Sequence, residues 1–185
     1  MQSSEPLPAF RYHPDPLATG SVRPDSDTAC LVCNRIRGYI YTGPVYTEKN
    51  FILDEHLCPW CIADGSAAKQ FGATFNDTAE ATGIPDQVRG EIETRTPGFN
   101  AWQQEEWQAC CGDVAAFLGP AGTIELQRDF PAAIPVVKTY LRSEYDLSRK
   151  DAEEFFAGLS KDGPPTAYIF RCLHCNQYLS YVDQT

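Results

Sequence analysis

Six of the eight cysteines in this 185-residue chain fall in three C-x-x-C pairs, Cys30/Cys33, Cys58/Cys61 and Cys172/Cys175. That spacing constrains the fold more than any hydrophobic pattern does. Two thiolates separated by two residues wrap one edge of a tetrahedral metal site, and the turn between them aims backbone N–H groups at the sulfurs. The residue after the second cysteine is pushed toward left-handed φ, where asparagine is tolerated. Asn34 and Asn176 occupy those places, and Pro59 supplies a fixed φ inside Cys58-Pro59-Trp60-Cys61. Cys30, Cys33, Cys58 and Cys61 are therefore expected to hold one Zn²⁺ as a zinc ribbon, two knuckles around a β-hairpin formed by Tyr39–Tyr46 about Gly43-Pro44.

Cys172 and Cys175 form a third knuckle without a fourth, and the remaining thiols are the neighbours Cys110 and Cys111. A second Zn²⁺ held by Cys172, Cys175 and one or both of Cys110 and Cys111 is the economical reading. If one of the neighbours is instead a buried core thiol, His174 or Asp113 completes the shell. Such a metal would staple a C-terminal hairpin to the body. A thiol-redox role for Cys58-Pro-Trp-Cys61 is the competing reading, but it needs a βαβ setting and leaves Cys30/Cys33 unexplained.

Four regions follow along the chain. Residues 1–29 form a proline-rich extended arm that docks through Phe10, Tyr12 and Leu17, and residues 30–66 form the ribbon. A mainly helical body covers 67–165, and a knuckle hairpin, 166–185, packs on it. In the body, Ile84, Val88 and Ile92 recur at helical spacing behind Pro85. Trp102–Cys111 and Asp113–Leu118 are predicted helical, with Trp102 and Trp107 packing a helical core, and Thr123–Leu126 is a predicted strand. Ser148 caps a helix with its apolar face on Ala152, Phe155, Phe156 and Leu159, and Leu147 is placed to pack on Ala152. Strands are predicted at Ala167–Arg171 and Tyr178–Val182. The fold class expected is thus α+β.

Charge and missing motifs exclude several functions. The formal charge is −10, and no basic footprint for nucleic acid is visible. Acids crowd Asp77–Glu106 with only Arg89 and Arg95 against them, which makes either a solvated face or a surface that steers a basic protein. Glu105 and Glu106 read as solvated, and His13, His56 and His174 as structural or exposed. No run approaches a membrane span, and the amino terminus is unlike a secretory signal, so the expected location is the cytoplasm. No H-E-x-x-H, deaminase, Walker, dinucleotide or nucleophile-elbow motif occurs. The leading expectation is a non-catalytic interaction protein. The alternative is an unrecognised zinc or thiol-redox enzyme, with Asp64-Gly65-Ser66, Arg95 and Asp113 as its candidate cluster.

Several strings carry a family resemblance: Phe10-Arg-Tyr-His-Pro-Asp-Pro-Leu17, Gly43-Pro44, Leu57-Cys-Pro-Trp-Cys-Ile-Ala-Asp-Gly-Ser66, Arg95-Thr-Pro-Gly-Phe99, and Trp102-Gln103 through Phe117-Leu-Gly119. Together they resemble the CbrC family of uncharacterised bacterial proteins. In that family a His-Cys pair is expected before the central Gly-Asp, where this chain has Cys110-Cys111 before Gly112-Asp113; the resemblance thereby implies that both are ligands. It also implies tolerance to nuclease bacteriocins or toxin immunity, and hence a basic nuclease toxin as partner.

Overall fold

Strand β1, Val22–Asp25, pairs antiparallel with β2, Gly38–Tyr41, in the computed structural model, which describes residues 5–48 and 52–184. Residues 1–4 of the expected arm, 49–51 of the expected ribbon and 185 lie outside the described residues. The architecture is α+β. Chain contacts divide it into two compact units, Met1–Ala79 with Ile84–Asn100, and Glu80–Gly83 with Ala101–Thr185.

In the first unit the hairpin is displaced from its expected place. Tyr39–Tyr41 pairs backward with Val22–Pro24, and Tyr46 bridges to Thr74 outside any named strand. Tyr41 explains the difference. Its hydroxyl donates to the Pro44 carbonyl (2.8 Å) and accepts from the Gly98 N–H (2.9 Å). The ring lies so close beneath Gly43 that a Cβ there would meet its hydroxyl at 2.6 Å. The chain after β2 therefore folds over this ring instead of returning as a strand.

Helix α1 (Pro59–Ala63) starts at Cys58 with Pro59 in its first turn, and α2 (Ser66–Phe71) follows. Helix α3 (Asp86–Arg95) begins after Pro85 and buries Ile92. Phe10 and Tyr12 of the arm are buried as expected, but Leu17 is exposed. His13 is fully buried instead, bonded to the Pro97 carbonyl (2.8 Å) and the Thr19 hydroxyl (2.6 Å). Burial outweighs these bonds and pushes its imidazole down to about 4.

The second unit replaces the helices expected over 102–118 with strands. These are β3 (Ala109–Cys110), β4 (Asp113–Val114) and β5 (Ala116–Ala121). Cys111 and Gly112, at φ +55° and +71°, make the two-residue turn that joins β3 to β4. Val114, Ala115, Ala116 and Phe117 are all buried, so the segment lacks the alternation that marks a one-sided strand. Thr123–Arg128, of which 123–126 is a predicted strand, is helix α4, and the Glu125 carboxylate accepts from the Gly122 N–H at its start (3.0 Å).

A 3₁₀ turn, Pro131–Ala133, leads into α5 (Ile134–Glu144). Helix α6 (Arg149–Ala157) follows, capped by the Ser148 hydroxyl accepting from the Asp151 N–H (3.2 Å). Strand β6 (Thr166–Arg171) lies centrally between β5 and β7 (Tyr178–Asp183), all antiparallel. Leu126, Val137, Leu141, Ala152 and Phe156 of the helices cluster with Ala167, Ile169 and Val182 of the sheet. Phe117, Tyr168, Phe170 and Tyr181 stack among themselves, with Trp107 edge-on to Phe117 and Phe170. Trp107 is thus a core residue of a sheet, while Trp102 is half exposed, its indole N–H donating to the Thr166 hydroxyl (2.9 Å). Among the described residues no helix is long and apolar enough to cross a membrane.

Candidate metal centres

The first unit brings Cys30, Cys33, Cys58 and Cys61 together, with all four sulfurs within 4.8 Å of one another. Cys30 and Cys33 sit in the connection from β1 to β2, where Asn34, at φ +58°, turns the chain after the knuckle. Cys58 and Cys61 enter from the first turn of α1. The Cys33 and Cys58 sulfurs are 3.8 Å apart, the edge of a tetrahedron with metal–sulfur arms of about 2.3 Å. Cys30 receives the Cys58 N–H at 3.3 Å. The Cys58 thiol and the N–H groups of Cys33, Cys58 and Val32 bring the Cys30 thiol down to about 4. Cys58 moves the opposite way through that same contact and through burial, and burial raises Cys61 to about 11. The cluster thus favours the thiolate at Cys30 and the thiol at Cys58 and Cys61, and a bound cation would draw the protons from the latter pair.

Arg37 stands beside this quartet, a feature the sequence did not flag. Its guanidinium lies 4.1 Å from the Trp60 ring centroid, and its Nε donates to Glu5 (3.2 Å). Burial works to lower its pKa, but the Glu5 contact and, behind it, Cys58 and Cys33 outweigh burial and raise it, which keeps a fixed cation near the cluster.

The second unit brings Cys110, Cys111, Cys172 and Cys175 within 4.8 Å of one another. Both adjacent cysteines contribute because the left-handed φ of Cys111 (+55°) turns its side chain toward the site of its neighbour. Cys110 lies 3.7 Å from Cys111 and 3.8 Å from Cys175. The connection from β6 to β7 carries the knuckle, with Asn176 at φ +61°. The N–H groups of Cys175 (3.5 Å) and His174 (3.4 Å) converge on Cys172 and lower its thiol to about 6, the Cys175 N–H most. His174 and Asp113 are not needed as ligands. They bond to each other, Nε2 to Oδ2 at 2.8 Å, and so brace the knuckle against β4.

Two further expectations need correction. Arg95 does lie against the Asp64–Ser66 turn, donating to the Ala63 carbonyl (2.9 Å), but Asp113 belongs to the other unit and is engaged by His174. Glu105, expected in solvent, is only 5% exposed and accepts from the Gln104 amide (2.8 Å).

Comparison with known proteins places the chain. The profile of an uncharacterised protein family, UPF0167, matches residues 7–184. The chain belongs to the UPF0167 family. The UPF0167 protein Mb2317 of Mycobacterium bovis is 50% identical over 179 residues, 96% of this chain and 93% of its own length. The UPF0167 protein MT2352 of Mycobacterium tuberculosis matches to the same extent. The UPF0167 protein PA1536 of Pseudomonas aeruginosa is 40% identical over 182 residues, 97% of this chain and 98% of its own. These matches correct the resemblance to CbrC: the family model and these relatives alike carry the UPF0167 name. No solved structure matches the chain.

Proposed function

We propose that this UPF0167 protein is a non-catalytic, zinc-stabilised interaction protein that binds a basic protein partner. The observation that carries the reading is the composition of the two quartets. Four sulfurs gathered within 4.8 Å supply every ligand a tetrahedral zinc takes, with no position left for water or substrate. Thiolate sets select zinc over hard cations, and the 3.8 Å sulfur–sulfur spacings fit its tetrahedron. The first quartet has one knuckle between β1 and β2 and the other opening α1. The second is a knuckle on the β6–β7 connection, closed by the β3–β4 turn.

Each thiolate quartet with Zn²⁺ carries a formal −2, so metal binding deepens the −10 of the bare chain. A surface of that sign favours association with a cationic partner and disfavours nucleic acid. The proposed nuclease-toxin identity of the partner came with the CbrC resemblance; the charge itself supports a basic protein. Eight unpaired thiols suit a reducing compartment, and we place the protein in the cytoplasm. A thiol-redox role for Cys58-Pro-Trp-Cys61 is weaker, since Cys58 and Cys61 are buried within a quartet.

Capture of partners by the tagged full-length chain, followed by direct titration with each purified candidate, tests the reading. A partner of high pI whose affinity falls with added salt supports it. Partners without excess positive charge, or binding indifferent to salt, would sink it.

A further inference from the structure

Strand β7 is an edge of the three-stranded sheet in the second unit. Just before it, the Cys172 N–H donates to the Gln177 carbonyl (2.8 Å). Antiparallel alternation from that bond turns the N–H and C=O of Tyr178, Ser180 and Val182 away from β6. The Val182 carbonyl accepts from the Tyr145 hydroxyl (2.7 Å). Among the described residues, no backbone partner meets the outward groups of Tyr178 or Ser180.

Helix α5 runs beside this edge and leaves a groove of about 400 Å³. Val136, Thr139, Tyr140 and Ser143 form its helical wall, with Tyr178 and Ser180 on the strand side. Ser180 is 6% exposed and its hydroxyl has no hydrogen-bond partner among the described residues. A buried hydroxyl in that condition is unusual unless something else completes it.

The surroundings of the groove fix the sign of what fits there. Glu106 is held above the usual carboxylate range by burial and then by Asp183, Glu80 and Glu144. The phenol of Tyr140, on the groove wall, is raised by burial and then by Tyr145, Glu106 and Glu144. Glu106, Glu144 and Asp183 have no cation within ion-pair distance among the described residues. Asp183 already accepts the Gln103 N–H (3.1 Å), which leaves Glu144, next to Ser143 of the groove wall, and Glu106, which acts on Tyr140, as the acids that match a cationic, extended chain along the Tyr178–Ser180 stretch of the edge.

We propose that the groove between α5 and β7 docks an extended lysine- or arginine-bearing segment of a protein partner, which pairs with the Tyr178–Ser180 stretch of β7 as a fourth strand and sets its cation near Glu106 and Glu144. The proposal rests on the reading of the chain as an acidic interaction protein and gives that reading a location. Backbone bonds to Tyr178 and Ser180 supply affinity, alternate apolar side chains enter against Val136 and Tyr140, and the acids select basic sequences.

A display library of random peptides about eight residues long, enough to run along a six-residue strand, tests this on the full-length zinc-loaded protein. The comparison chain is Ser143→Arg, which changes an exposed position of α5, fills the groove and supplies its own cation without disturbing the core. Enriched peptides should carry lysine or arginine among alternate apolar residues and bind the Ser143→Arg chain at least about tenfold more weakly. A Glu144→Gln chain should lose about two- to threefold and show a shallower salt dependence. Basic peptides that bind both chains equally would overturn the groove and leave the basic-partner reading standing, as would a library that yields no binder. Enrichment of peptides without basic residues would overturn both.

Discussion

In the first quartet Cys30, Cys58 and Cys61 are 0%, 1% and 3% exposed and pack in one core with Leu57 and Ile62, whereas in the second Cys111 and Cys175 are exposed and only Cys172 is buried. The donor set is the same, but the surroundings differ. In the first unit the thiolates replace hydrophobic packing, so the core is incomplete until a metal neutralises them. In the second, among the described residues, only Cys172 is buried, at 1% exposure, and the hydrophobic cluster around Val137, Leu141 and Ile169 includes none of the four cysteines. There the metal would clip two turns at the rim of a sheet that is already packed. Identical ligation can therefore be a core in one place and a fastening in another.

The contrast breaks most sharply on removing one ligand from each site. Cys58→Ser leaves buried thiolates without a metal, and the first unit should lose more than about 4 kcal/mol, the range of lost metal sites. Hydrogen exchange should show amides of Val22–Tyr41 and α3 deprotected while β5, β6 and β7 stay protected. Equal protection in both units would refute the contrast.

Acid sharpens the comparison next. His13, in the first unit, is pushed down to about 4, so its neutral form is favoured on folding. The unfolded chain binds the proton first, near 6.5, and stability is lost as pH falls from there toward the folded value. Between pH 7 and 5 the stability advantage of wild type over His13→Asn should shrink by about 2 kcal/mol. Measuring both chains cancels the thiolate protonation they share. The second unit carries the opposite sign: burial raises the Glu106 and Asp183 carboxyls, so stability lost to their ionisation at neutral pH returns as they protonate. A gap between the two chains that is flat with pH would contradict the burial of His13.

Smaller effects follow in the second unit. Cys175→Ser should release its metal yet cost only about 1–2 kcal/mol, read by denaturant unfolding with metal content measured in parallel. Ser148→Ala, which removes the α6 cap far from either quartet in sequence, should cost about 1 kcal/mol with metal content unchanged.

Much of this was legible in the sequence because it depended on local rules. The spacing of Cys30/Cys33, Cys58/Cys61 and Cys172/Cys175, the asparagines after two of the knuckles and the Ser148 cap each act within a few residues. The structure follows them at Asn34, Asn176 and α6. What was missed depended on contacts distant in the chain. Trp107 and Phe117 suggest a helical stripe until the aromatic face of β6 and β7 is there to meet them. Tyr39–Tyr41 has a strand composition, but nothing local says that its partner lies before the knuckle rather than after Gly43. The fourth ligand of the second site hinged on Cys111 taking a left-handed φ, which only the β3–β4 turn imposes.

That the two four-cysteine clusters would hold metal at different depths is tested most directly by elemental analysis of the native full-length protein, combined with thiol labelling before and after graded chelation. The account expects two zinc ions per chain and no rapid labelling before chelation. On mild chelation one zinc should leave with labelling confined to Cys110, Cys111, Cys172 and Cys175, and the other should leave only as the first unit unfolds. Fewer than two zinc ions, or prompt labelling of Cys30, Cys33, Cys58 and Cys61 in the untreated protein, would contradict it.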